Sequence, residues 1–591
     1  MNRSFERSDA QIISRLFFRL LPAQAFMLAL NGLNNMIDGL VGSNFVGAKA
    51  MSAIGIYTPL QMACMAVSMI LMASSQVLCG RYMGEGRMEK TRGVFSLNLT
   101  ITLAFTATVT LASFLIPRTL AGLLGATQEN MADVSNYIIG RGIGVIPLLL
   151  GQQLASFLQL ERQSTRNYIA TGLMLVVNAG FDLLFAAVLD MGAMGLGIAT
   201  SLSNWAYLAV VGSFFLMPRA TLKYSIRAID WSEIASMVRI GFPSALLIFL
   251  TALRSTIFNR MLAAHATLEA VSALATFNMV YILFSAMVSG ISTTGRILAS
   301  VSYGEEDRRS LTLLMRTILT KGYAIVLLTA ALEFLLAGVF TGLYYSDHTS
   351  AVYAMTLSGI RWGSLFLLLQ ILASIFSSYY QALGRIKAVN VFSLMEGIAV
   401  MGPLAIALVP RMGLDGLWIT MLAGYAVTAL FAAAYAVIYW KRLPKTLEEW
   451  ITLPPDFGAA EEQRLDITIH SMDEVTATSE RVLAFCSGRG IERRRAYYSA
   501  LCLEEMAANI VKHGFHADNK PHAVDVRVVH KGEDVILRVK DDCAPFNPQE
   551  RAELLDTQDM TRNIGLRMVM RIAKSVDYQN LLGLNVLTMR V

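Results

Sequence analysis

The stretch NYIATGLMLVVNAGFDLLFAAVLD, residues 167–190, runs for 24 residues with two charges, Asp182 and the closing Asp190. A bilayer's hydrocarbon core takes about 20 mainly apolar residues per helix, so the run is long enough to span it. An ionised side chain inside such a run costs about 2.5–3.5 kcal/mol on insertion scales, which makes Asp182 a candidate for function. Asn178 lies four residues earlier and therefore on the same helix face.

Outward from this segment, eleven further runs of the same kind lie near 17–41, 53–80, 93–117, 134–160, 193–217, 238–262, 271–299, 312–340, 352–382, 388–410 and 414–440. The chain is 55% hydrophobic and 16% charged, but that average hides a break at Pro454-Pro455. Residues 1–455 carry 31 Lys and Arg against 22 Asp and Glu; the last 136 carry 18 against 21. A membrane-soluble body precedes a water-soluble tail, which excludes an ordinary cytosolic enzyme. The basic excess sits between apolar runs, where it sets membrane orientation, so no nucleic-acid partner is expected. The five cysteines show no spacing of a disulfide framework or zinc site.

Basic residues gather at alternate ends of the runs: Arg81, Arg87, Lys90 and Arg92 at one loop, Arg308 and Arg309 at another, and Lys441, Arg442 and Lys445 at the last. The positive-inside rule then predicts both termini in the cytoplasm and a multi-pass protein of the cytoplasmic membrane. A shift of about 220 residues superposes Gly84-Glu85 on Gly304-Glu305 and Arg141 on Arg361. The expected body is two six-helix lobes, 17–217 and 238–440, with a cytoplasmic segment 1–16 before them and a loop 218–237 between. Such duplication suits a transporter.

Asp38 falls late in the first run, Asp182 late in the fifth and Thr200 early in the sixth, so all three lie in the outer half of one lobe, with Asn178 beside them. Two carboxylates, an amide oxygen and a hydroxyl suit a small hard cation, and paired carboxylates suit proton exchange. Taken singly, each is also explained as a polar contact near a helix end. In the second lobe Glu396 either draws cationic substrate or bridges structurally to Arg254. Arg141 and Arg361 are expected to snorkel to the interface.

The segments LNNMIDGLVGSNFVGAKAMSAIG (33–55), VVNAGFDLLF (176–185), GLGIATSLSNW (195–205) and IGFPSALLIF (240–249) resemble the multidrug and toxic compound extrusion (MATE) transporters. The resemblance covers about residues 14–440. It implies a cation site at Asp38, Asn178, Asp182 and Thr200, with H+ or Na+ as coupling ion, and export of small organic, often cationic, compounds by rocking of the lobes.

After a linker, 441–462, residues 463–591 alternate strand-like and helix-like segments. LDITIH, HAVDVRVVH, DVILRVKDD, DYQNL and NVLTMRV read as strands. SMDEVTATSERVLAFCSGRG, RRAYYSALCLEEMAANIVKHGF and TRNIGLRMVMRIAKSV read as helices, giving an α/β sandwich. Glu505 and Asn509 share a helix face, DDCAPF closes a strand and NIGL opens a helix. These features resemble the histidine-kinase-like ATPase superfamily, closest to its anti-sigma-factor serine kinases. The resemblance implies ATP and Mg2+, with Glu505 as general base, Asn509 as Mg2+ ligand, Asp541 on the adenine amine and Thr588 as a hydroxyl near the adenine. Gly565 would let the backbone approach phosphate at a helix start. Cys543 and Asn563 stand where the family usually has glycine.

The expected fold is thus an all-α polytopic membrane protein plus a C-terminal α/β sandwich ATPase-like domain. The expected function is proton- or sodium-coupled efflux of organic compounds under a nucleotide-binding regulatory tail. ATP is not expected to power transport, because the tail has no G-x-x-x-x-G-K-[ST]. The alternatives are a membrane sensor whose tail phosphorylates a serine on a cytoplasmic regulatory protein, and an exporter of a lipid-linked or metabolic compound.

Overall fold

The computed structural model describes residues 13–26, 28, 29, 32, 48–128, 130–161, 163–189, 191–218, 220–459, 461–515, 522–531, 534–544, 546, 548, 564–581 and 584–591. The body's helices are α1 (13–26), α2 (Ala48–Gly84), α3 (Met88–Leu115), the short α4 (Pro117–Leu123), α5 (Met131–Leu160), α6 (Ser164–Asp182) and α7 (Gly192–Ser213). They continue as α8 (Glu233–His265), α9 (Leu268–Gly304), α10 (Arg308–Thr317), α11 (Tyr323–Tyr344), α12 (Ala351–Ala382), α13 (Ile386–Leu394) and α14 (Met401–Trp440). Among the described residues ten spans are long and apolar enough to cross a membrane. The last, Ile386–Trp440, contains both expected runs 388–410 and 414–440 and bends at Gly413, whose φ is +57°. The expected run 17–41 lies mostly outside the described residues.

Among the described residues three spans contain a π-helical turn: Leu183–Val188 beyond α6, Ile318–Gly322 between α10 and α11, and Met395–Ala399 between α13 and α14. Wider turns of this kind collect at functional positions because they re-aim the side chains around them.

The tail comprises β1 (Arg464–Ile469), α16 (Met472–Ser487), α17 (Arg493–Asn509), β2 (Val524–Lys531), β3 (Asp534–Asp541), α18 (Ile564–Ile572), β4 (Ser575–Leu581) and β5 (Leu584–Arg590); the small α15 (Leu447–Trp450) precedes it. The sheet is antiparallel throughout, in the order β1-β2-β3-β5-β4. Side chains alternate between its faces. Val524, Val526, Val535, Leu537, Val539, Leu587 and Met589 meet the helices in one apolar core. The helix expected over 561–576 ends at Ile572, since Ser575 and Val576 join β4.

The linker is not the polar tether its two prolines suggest. Ile451 and Leu453 are buried in the body's core, Glu448 binds Arg308 at 2.6 Å, and the Phe457 ring stacks on Tyr303 at 5.1 Å. The sheet's second face then lies against the body, where Leu584 and Val586 join the same apolar cluster.

Candidate functional site

In the first lobe α6 ends at Asp182, where the π-helical turn begins. Asn178 and Asp182 are almost fully buried, and the Asn178 amide donates to Asp182 Oδ2 at 2.5 Å. Ser203 of α7 donates in turn to Asn178 Oδ1 at 3.0 Å. A hydroxyl, an amide and a carboxylate thus form one chain of donors across two helices. Thr200 lies one turn before Ser203, but its hydroxyl is bonded to Leu196 O at 2.9 Å. Its carbonyl accepts from Ser203 at 2.8 Å. Among the described residues Ser203 is the hydroxyl bonded to Asn178. Asp38 lies outside the described residues.

In the second lobe Glu396 sits in a π-helical turn and is buried. Gln370 bonds its carboxylate, while Arg254 donates to its backbone carbonyl at 2.7 Å. Of the two expected roles this geometry supports the bridge, made to the backbone. Arg141 does not snorkel: it is buried with its guanidinium 5.6 Å from the Tyr57 ring centre, whereas Arg361 is exposed. An apolar cavity of about 580 Å³ opens between the lobes, walled by Pro22, Phe26, Tyr168, Phe284, Met287 and Thr329. That volume falls in the range of small-molecule sites.

In the tail, Glu505 and Asn509 are one turn apart on α17, and a π-helical turn starts directly after Asn509. The start of α18 is seated on Glu505: a Cβ at Gly565 would lie 1.8 Å from Glu505 Oε2. Only glycine fits there. A helix N-terminus favours an anion, and here Glu505 supplies it. Asp541, at the end of β3, faces the helices; burial pushes its carboxyl up, with hydrogen bonds from Asn585 and Cys543 acting against that. Asp541 Oδ1 accepts from Asn585 Nδ2 at 2.7 Å and from the Cys543 N–H at 2.9 Å. Thr588 is not brought to Asp541. It pairs with Arg538 and Asp577 on the sheet's other face, and Asn585 takes the position beside the carboxylate. Asp541 and Asn509 offer a buried carboxylate and an amide oxygen of the kind ATP and Mg2+ call for, but at Gly565 the Glu505 carboxylate occupies the approach expected for phosphate; Asn563 lies outside the described residues.

Between tail and body, Lys540 binds Glu305 at 2.7 Å, Arg538 donates to Glu305 O at 3.1 Å, and Arg527 pairs with Asp307. Burial pushes the Asp307 carboxyl up, but Arg527, Lys540 and the Ser310 bonds outweigh this and hold it well below the ordinary range. These contacts are all to the loop between α9 and α10. The first lobe is touched as well, since Arg15 of α1 binds Asp542 Oδ2 at 2.5 Å. His522 Nδ1 lies 2.8 Å from the other oxygen of that carboxylate. The residue next to Asp541 in the chain is therefore tied to helix α1.

Comparison with known proteins follows the same division. The MatE family model matches residues 23–184, and the model of the Histidine kinase-like ATPase domain matches residues 470–591. Multidrug export protein MepA of Staphylococcus saprophyticus is 20% identical over 437 residues, 71% of this chain and 93% of that protein. MepA of Staphylococcus aureus is similar at 20% over 434 residues, 72% of this chain and 94% of that one. Among solved structures, the outward-facing conformation of a MATE family multidrug resistance transporter has a TM-score of 0.66 at 20% identity, covering 71% of this chain and 94% of that one. A MOP superfamily transporter from Pyrococcus furiosus gives 0.66 at 20%, covering 73% and 97%. At this identity the structural likeness establishes a shared fold.

Proposed function

From a chain that joins a MATE transporter body to a histidine kinase-like ATPase domain, we propose a secondary active exporter of small organic compounds in the cytoplasmic membrane, with both termini in the cytoplasm. Proton or sodium binding at Asp38, Asn178, Asp182 and Thr200, helped by Ser203, drives alternating access. The observation that carries the reading is the buried Ser203–Asn178–Asp182 chain at the junction of α6 with a π-helical turn. A carboxylate kept there inside a span is expensive unless its charge is used. The apolar cavity between the lobes supports organic cargo; the cargo is cationic, or alternatively a lipid-linked or metabolic compound. Asp182→Asn should reduce export at least about tenfold while the protein still reaches the membrane; unchanged export would remove the site from the mechanism.

The tail regulates this cycle. ATP would be held with its adenine amine at Asp541 and Mg2+ at Asn509, and when bound it would supply a transferable phosphoryl group. Support for regulation comes from the docked sheet, which touches α1 and the α9–α10 loop together. A second reading, in which the tail phosphorylates a serine of a cytoplasmic protein, is favoured by Glu505 and Asn509 sharing one helix face. Labelled ATP given to the full chain in membranes with cytoplasmic extract distinguishes them. A labelled protein lost in Asn509→Ala supports the kinase; nucleotide binding without label supports regulation alone.

A further inference from the structure

On the side of the body that carries the tail, α2 and α9 cross at positions related by the internal repeat. Gly80 meets Ser300, where an added Cβ would lie 2.7 Å from the Ser300 Cβ, and Gly84 packs on Gly304 and Val301, at 2.3 Å from the Val301 carbonyl. Each pair differs by 220 in number, the shift that superposes the lobes. One turn further into the membrane the same shift pairs Gln76 with Arg296. These are i, i+4, i+8 stripes, one on each helix, packed together where the two lobes meet.

At this meeting point two copies of one residue would face each other, as in any two-fold contact. Two arginines would repel and two glutamines would make only a neutral bond. The chain instead carries one of each. Arg296 Nη2 and Nε donate to Gln76 Oε1 at 2.7 and 3.2 Å, and Nη1 donates to Gln381 Oε1 at 3.0 Å. Gln76 Nε2 is held by Ser156 at 2.9 Å, and Gln381 Nε2 by Ile240 O at 2.9 Å. Both acceptor oxygens are therefore fixed toward the guanidinium. Gln381 and Arg296 belong to the same lobe, so of the bonds Arg296 makes, separating the lobes breaks only those to Gln76; Arg81 of α2 crosses the same contact, donating to Ala382 O at 3.0 and 2.6 Å.

We propose that the Arg296–Gln76 pair is a latch between the two lobes on the tail side, acting beside the Arg81–Ala382 contact, with Arg296 as a positioning residue that sets how often this side opens. Hydrogen bonds to a charged donor are roughly twice as strong as neutral ones, so Arg296 in place of a second glutamine biases the body toward the closed arrangement. Opening leaves the guanidinium facing the passage, held by Gln381 alone. The proposal rests on the alternating-access reading given above.

The test uses the full chain in sealed vesicles with the tail side outward, carrying Ser300→Cys as reporter, because Ser300 is fully buried between the lobes. Labelling by a membrane-impermeant maleimide is measured without substrate or ion gradient, so its outcome is separate from that of the coupling site. Arg296→Ala should raise the labelling rate at least about tenfold, as expected for loss of a charge-assisted hydrogen bond. Gln76→Leu, which leaves the arginine in place, should do the same. Arg296→Lys should return the rate to within about threefold of the parent, since it keeps the charge. Unchanged labelling in both Arg296→Ala and Gln76→Leu overturns the latch. Arg296→Lys labelling as fast as Arg296→Ala overturns it too, because packing alone would then explain the effect.

Discussion

Removing the guanidinium that holds Asp307 should release the tail from the body. In Arg527→Met the aliphatic stem remains, while Asp307, with a side chain 2% exposed, loses its ion-pair partner. Breaking a buried pair by removing one partner costs about 3–5 kcal/mol. At about 1.4 kcal/mol per tenfold change, that weakens docking by roughly two to four orders of magnitude. Arg527 also binds Asp466 inside the tail at 2.7 Å, so Asp466→Asn is the control that loses this charge pairing and keeps the contact with the body. The assay is limited proteolysis of residues 454–464 in vesicles with the tail outward. Phe457 now stacks on Tyr303, and the adjoining Leu453 is buried. When opening is fast relative to cutting, cleavage follows the open population. Cleavage should rise at least about a hundredfold in Arg527→Met and stay near the parent rate in Asp466→Asn. Equal cleavage of parent and Arg527→Met would refute the account of how the tail is held.

Other outcomes follow from the same geometry. Gly565→Ala places a methyl group on the Glu505 carboxylate and should weaken nucleotide binding by the full chain at least about tenfold; titration with a fluorescent ATP analogue reads it. The contribution of Asp307 to docking should be flat with pH between about 5 and 8. The carboxyl of Asp307 is held below its ordinary value, so its contribution is fully present above the unfolded pKa near 4 and is lost as pH falls through the lower folded value. The proteolysis assay run across pH checks this. Glu396→Gln should keep export within about threefold, while Arg254→Leu, which leaves the Glu396 carbonyl without its donor, should lower thermal stability by about 1–3 kcal/mol.

Much of the body was legible because its signals are long: apolar runs, loop charges and a repeat shift. The i, i+4 spacing of Asn178 and Asp182 does bring them together. Which hydroxyl of α7 meets them was not legible, since Thr200 and Ser203 differ by a helix rotation that packing decides. In the tail, a strand's period of two was enough to separate Thr588 from Asn585. Asn585 is in phase with the apolar Leu587 and Met589, whereas Thr588 is not, and one step along a strand changes its face. The two prolines of the linker give no hint that Ile451 and Leu453 beside them are buried against the body. Arg296 was passed over although the 220-residue shift, carried from Gly84 back to Gln76, lands on it. Individual residues gave no sign of the docked sheet face, whose Arg527, Arg538 and Lys540 look like any solvated strand face until Glu305 and Asp307 are set against them.

The central claim is that an ion gradient at the first-lobe site, not ATP, drives export. Substrate uptake into inside-out vesicles under an imposed proton or sodium gradient tests it most directly, with ATP removed by an enzymatic trap and Asp182→Asn run alongside. The account predicts uptake that persists without ATP, collapses when the gradients are dissipated and falls at least about tenfold in Asp182→Asn. Uptake that requires ATP and ignores both the gradients and the substitution would contradict it.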